Sequence, residues 1–117
     1  MSQNELNDLK LRLRQFAEER DWNQFHSPKN LSMALIGEAA ELVEHFQWLS
    51  EDQSKTLPTD KHNEVALELA DIFIYLIRIA DKLNVDLINT AYKKVEINKQ
   101  KYPVEKVKGK SKKYTEY

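Results

Sequence analysis

Two acidic pairs lie within apolar stretches of the chain: Glu38-Ala39-Ala40-Glu41 and Glu68-Leu69-Ala70-Asp71. The carboxylates of each pair are three residues apart, so on a helix they project from one face. Leu31, Leu35, Ile36, Leu42 and Val43 surround the first pair; Val65, Leu67, Leu69, Ile72 and Phe73 surround the second. Carboxylates in such surroundings are costly to desolvate without compensation, and no matching group of cations lies nearby in the sequence. Hard oxygen ligands in this number suit Mg²⁺, or Mn²⁺, which keeps part of its water and shares its shell with substrate phosphates. A metal held this way clamps phosphate oxygens and activates water for attack. A lone Glu-x-x-Glu in a chain with 19 acidic residues reads as a solvated helix face. Two such pairs on apolar helices read as a metal cluster.

Other residues fall in register with these pairs. Glu38, Glu41 and His45 share one helical stripe, with Glu44 beside it; Glu64, Glu68, Asp71 and Tyr75 line up at i, i+4, i+7 and i+11. A di-iron carboxylate bundle requires Glu-x-x-His on two helices. Here the only nearby histidine, His45, sits at i+4 from Glu41, so that chemistry is set aside. Lys94 and Asn98 are one turn apart, a cation and an amide that suit a phosphate chain, although a solvated helix face gives the same pattern. Trp22, Phe25, His26, Trp48 and Tyr75 offer rings that stack on a nucleobase or simply pack a core. His26 lies in a loop near Pro28, and its charge responds to pH near neutrality.

The elements that must position these residues read as four helices. The first spans about residues 2–20, with Leu6, Leu9, Leu13, Phe16 and Ala17 as its apolar stripe. The second runs from a cap at Asn30 to about Leu49, and a polar loop follows from Ser50 to Asp60. The third, capped by Thr59 or Asp60, extends to about Leu83. Asn84 interrupts the pattern, and Asp86 caps a fourth helix that ends before Pro103. The second and third helices are apolar on more than one side, which calls for a central position or a second subunit. A homo-oligomer, dimer or tetramer, is expected. The 117 residues, with two Gly, three Pro and 41% hydrophobic content, suit one all-α domain over residues 1–102. A lysine-rich, irregular tail over 103–117 includes Lys106, Lys108, Lys110, Lys112 and Lys113. A net charge of −1 argues against nucleic-acid polymer binding, and the absence of cysteine excludes thiol chemistry. Without a basic n-region, an apolar leader or a membrane-length segment, the expected setting is the cytoplasm.

Glu-x-x-Glu followed by Glu-x-x-Asp and then Lys-x-x-x-Asn resembles the all-α nucleoside triphosphate pyrophosphatases, the MazG-like proteins, and among them the dCTP pyrophosphatases. The stretches that carry the resemblance are 19–26 (Glu-Arg-Asp-Trp-Asn-Gln-Phe-His), 28–31, 37–48 and 68–76, then Asn98 to Pro103 and Lys113 to Thr115. The resemblance implies a four-helix-bundle-like fold assembling into a helical tetramer with sites near subunit interfaces. It implies Mg²⁺-dependent cleavage between the α- and β-phosphates of a nucleotide, in nucleotide-pool sanitation. By position, Glu38, Glu41, Glu68 and Asp71 would be the Mg²⁺ ligands, and one of them or Glu44 would handle the attacking water. Lys94 and Asn98 would meet the phosphates; His26, Trp48 and Tyr75, with Trp22, would line the base and sugar pocket. The stretch from Glu51 to His62 has no counterpart in the pattern, which leaves dCTP, dUTP, dTTP and modified pyrimidine triphosphates as alternatives. The rival readings are a non-catalytic helical binding or oligomerisation module of the same shape, and a same-fold enzyme with dUTP or broad nucleoside triphosphate specificity.

Overall fold

The computed structural model describes residues 1–111 and 114–116. Lys112 and Lys113 of the lysine-rich tail lie outside the described residues. The described residues form helices and turns with no strand among them. They divide into two compact units, Met1–Asn84 and Val85–Tyr117. No helix among them is long and apolar enough to cross a membrane.

In the first unit, helix α1 (Gln3–Glu19) starts where the Ser2 hydroxyl accepts the Glu5 N–H at 3.0 Å. Such a cap satisfies one of the amides a helix start leaves free. Its end is a Schellman turn: Asp21 takes a left-handed φ of 54°, the Trp22 N–H reaches Ala17 O at 2.9 Å and the Asp21 N–H reaches Glu18 O at 3.1 Å. The apolar contact that accompanies such turns is Trp22 edge-on to Phe16, with ring centroids 5.6 Å apart. A short 3₁₀ helix, Asn23–Phe25, follows.

Helix α2 (Pro28–Glu44) begins earlier than the sequence suggests. Ser27, not Asn30, is the cap, and its hydroxyl accepts the Asn30 N–H at 3.1 Å. Pro28 occupies the first helical position, where its missing N–H costs nothing and its φ is already set. The helix also ends before Leu49. Residues 45–49 form turns, and Ser50 starts a new helix, α3 (Glu51–Lys55), inside the stretch expected to be loop. A reciprocal capping box drives this: the Ser50 hydroxyl accepts the Gln53 N–H at 3.1 Å while Gln53 Oε1 accepts the Ser50 N–H at 2.9 Å.

Helix α4 (Thr59–Lys82) is the longest element. Pro58 takes the cap position, so Thr59 and Asp60 are helical residues and not caps; the Asp60 carboxylate instead sits in the positive first turn. Asn84, with φ 56°, ends it. Leu6, Ala17, Leu31, Val65, Ile77 and Ala80 are buried, so the core of this unit draws on α1, α2 and α4. The most extensive packing is between α2 and α4. Glu38 acts electrostatically on Asp71 while His45 faces Glu64, so the two helices run antiparallel.

In the second unit, Asp86 caps α5 (Leu87–Lys101) through a 3.1 Å bond from the Asn89 N–H, as the sequence predicts. The stretch read as irregular contains a short helix, α6 (Val104–Val107), and a 3₁₀ turn, Tyr114–Glu116. Pro103, placed just before α6, favours a helix start as well as ending α5.

Candidate active site

Each acidic pair sits inside a long helix, and the α2–α4 packing brings them face to face. One carboxylate oxygen each from Glu38, Glu41 and Glu68 lies within 4.8 Å of the other two. Asp71 stands outside that span but lines the same cleft as Glu38, and its charge acts on both Glu38 and Glu68. Glu44 is exposed at the end of α2, apart from the cluster.

Crowding like charges at a partly shielded site favours protonation. Burial, followed by the charges of Glu41 and Asp71, pushes the Glu38 carboxyl up to about 7. Glu68 is raised by burial and by its hydrogen bond and charge interaction with Glu41, while His45 opposes the shift. Glu38 Oε2 and Glu68 Oε2 are shielded from solvent and accept no hydrogen bond. Two shielded, unpartnered oxygens in an all-oxygen cluster fit a hard divalent cation, which would satisfy both and offset the repulsion. His45 stands at the cluster's edge, its Nε2 3.9 Å from Glu68 Oε1 and its Nδ1 3.3 Å from Lys61 Nζ.

Beside the cluster a cleft of about 320 Å³ is lined by residues of α1, α2 and α4 and of the connection between α1 and α2, including Phe16, Trp22, His26, Glu38, Asp71 and Tyr75. The structure thus brings Trp22, His26 and Tyr75 to one wall system with two of the acids. Trp22 is edge-on to His26, with centroids 6.1 Å apart. Burial and the charges of Glu38, Asp71 and Glu41 hold the Tyr75 phenol protonated above its ordinary range. Trp48 is 87% exposed and does not line this cleft. Lys94 and Asn98 lie on α5 in the second unit, both exposed.

Arg78 also lines the cleft and is buried. Reading along the chain missed it, although the stripe of Glu64, Glu68, Asp71 and Tyr75 continues onto it one turn later. An arginine among Ile77, Ile79 and Ala80 is out of place on an apolar helix unless partners receive it, and Asn23 and His26 do so.

The MazG-like family matches residues 35–117, a segment that contains both acidic pairs. The chain is 41% identical over 113 residues to dCTP pyrophosphatase 1 of Mus musculus, covering 95% of this chain and 66% of that protein. The corresponding protein of Rattus norvegicus is 42% identical, and that of Homo sapiens 41%, over the same coverage. The chain therefore spans just under two thirds of the length of these relatives. Among solved structures, a pyrophosphatase from Archaeoglobus fulgidus DSM 4304 superimposes with a TM-score of 0.81 at 36% identity, covering 88% of this chain and 96% of that one. With the family match over residues 35–117 and a helical frame that superimposes on that of the archaeal pyrophosphatase, this chain belongs to the MazG-like family.

Proposed function

We propose that the chain is a nucleoside triphosphate pyrophosphohydrolase that cleaves dCTP or a related pyrimidine deoxynucleotide to the monophosphate and pyrophosphate, using Mg²⁺. The observation that carries this reading is the convergence of Glu38, Glu41 and Glu68, with two shielded, unpartnered oxygens, beside a cleft walled by aromatic rings. The names of the mammalian and archaeal relatives support the same chemistry.

A divalent ion in the cluster supplies charge neutralisation at phosphate oxygens and acidifies water. Glu38, Glu41 and Glu68 would hold it, with Asp71 completing the set. The remaining work falls to the chain's own side chains. A carboxylate of the cluster, or Glu44, orients the attacking water and takes its proton. Trp22, His26 and Tyr75 receive the base and sugar, joined by Trp48 in the resemblance. Lys94 and Asn98 are the proposed phosphate contacts. The apolar residues that α2 and α4 leave exposed support a homo-oligomer, for which we propose a tetramer, in a cytoplasmic setting.

The test is pyrophosphate release from a panel of deoxynucleoside and nucleoside triphosphates, with Mg²⁺ and with EDTA, and with the products identified. Mg²⁺-dependent dCMP and pyrophosphate, formed faster than from other nucleotides, is the expected result. Cleavage of another base in preference corrects the pocket assignment, and no cleavage at all overturns the enzyme reading.

A further inference from the structure

Arg78 is the one buried charged side chain among the described residues, 4% exposed. Both hydrogens of its Nη2 are used: one goes to Asn23 Oδ1 at 3.1 Å and the other to His26 Nδ1 at 3.2 Å. Its Nη1 faces Asp81 Oδ2 at 3.8 Å. Asp81 is itself gripped by Arg14 through two bonds, of 2.6 and 2.7 Å. The guanidinium is thus fixed from α1, α4 and the 3₁₀ segment together.

A guanidinium has five N–H donors and no acceptor, and it does not lose its proton in proteins. The Arg78–His26 bond therefore has one polarity: Nδ1 accepts. A proton on Nδ1 would set two donors face to face, so the neutral ring carries its proton on Nε2. Burial, then Arg78 and then Lys82 depress the basicity of His26, while Glu38 and Asp71 belong to the same cleft lining. Nε2 has no hydrogen-bond partner among the described residues and is not one of the shielded, unsatisfied atoms.

We propose that Arg78 is a positioning residue that locks His26 as a neutral Nε2–H donor, so that the cleft selects a base presenting an acceptor there, as a pyrimidine ring carbonyl does. This rests on the nucleotide reading of the cleft for its ligand, but not for the tautomer.

The two parts are tested separately. In the full chain labelled with ¹⁵N-histidine, free of ligand, the imidazole nitrogen shifts report which nitrogen holds the proton. His26 is expected as a single Nε2–H tautomer in the wild type and in Arg78→Lys, whose ammonium also only donates, and as a mixture in Arg78→Met. An Nδ1–H tautomer in the wild type, or an unchanged tautomer in Arg78→Met, overturns the proposal. If Arg78→Met does not fold, the wild-type and Arg78→Lys spectra still decide. In turnover, Arg78→Met is expected to raise KM for dCTP by about three- to tenfold, the loss of one hydrogen bond, with a smaller effect on kcat. Combined with His26→Ala it should add no further loss, because the guanidinium acts through the imidazole; additive losses reject it. If the wild type cleaves no nucleotide, the function reading fails while the nitrogen shifts still judge Arg78.

Discussion

Glu38 concentrates the chemistry of this chain in one side chain. Its carboxyl lies in the cluster and on the cleft wall, and one of its oxygens is shielded and unpartnered. Glu38→Gln keeps the shape but removes a negative ligand, and is expected to abolish both Mg²⁺ binding and turnover while leaving the far-ultraviolet circular dichroism unchanged. Calorimetry of Mg²⁺ binding together with the pyrophosphate assay checks this; wild-type-like values in both reject the metal assignment. The pH dependence has a defined sign. The carboxyl moves from an ordinary 4.5 to about 7 in the folded chain. A raised acid stabilises the fold fully below its unfolded value and loses that contribution as pH rises through the folded one. In EDTA, the melting temperature of Glu38→Gln should therefore gain on that of the wild type as pH rises from about 4.5 to above 7. A difference that is flat across this window contradicts the shift.

At the scale of elements, the caps decide where the site-bearing helices begin. Ser27→Ala removes the acceptor for the Asn30 N–H and should cost about 1 kcal/mol, read as a lower urea midpoint at unchanged m-value. Asn84→Val forces a β-branched residue into a left-handed φ of 56° and should cost about 1–2 kcal/mol, whereas Asn84→Gly should not destabilise. These same features show what the sequence made legible. Asn84 as a break and Asp86 as a cap follow from residue type alone, and so do the long apolar helices that hold the acids. Ser27 with Pro28 and Ser50 with Gln53 were equally present in the sequence, but a cap is a choice among neighbouring Ser, Asn, Thr and Asp that only the hydrogen bonds settle. The acid pairs were legible because i, i+3 spacing is a local property. Arg78 was not, since its partners Asn23 and His26 are 55 and 52 residues away and the apolar run around it reads as core.

For the whole molecule, α2 and α4 have more apolar surface than one chain covers. Ile36 is 69% and Leu67 70% exposed, with Met33, Val43 and Leu69 exposed as well. Such patches mark association surfaces. Sedimentation of the wild type should show a concentration-dependent assembly, and Ile36→Lys with Leu67→Lys should shift it to smaller species; a wild type that is monomeric at every concentration rejects the oligomer. The acid cluster has a further effect on this helix pair. Its oxygens face one another across the same seam that provides most of the packing in the first unit. Without a cation their repulsion works against that seam, so local opening costs less there. Amide hydrogen exchange along the middle of α2 and α4 should slow when Mg²⁺ is added, more than in α1. Divalent ion would then act as a clasp on the breathing of the fold, linking the lifetime of the closed helix pair to ion supply even when no nucleotide is present.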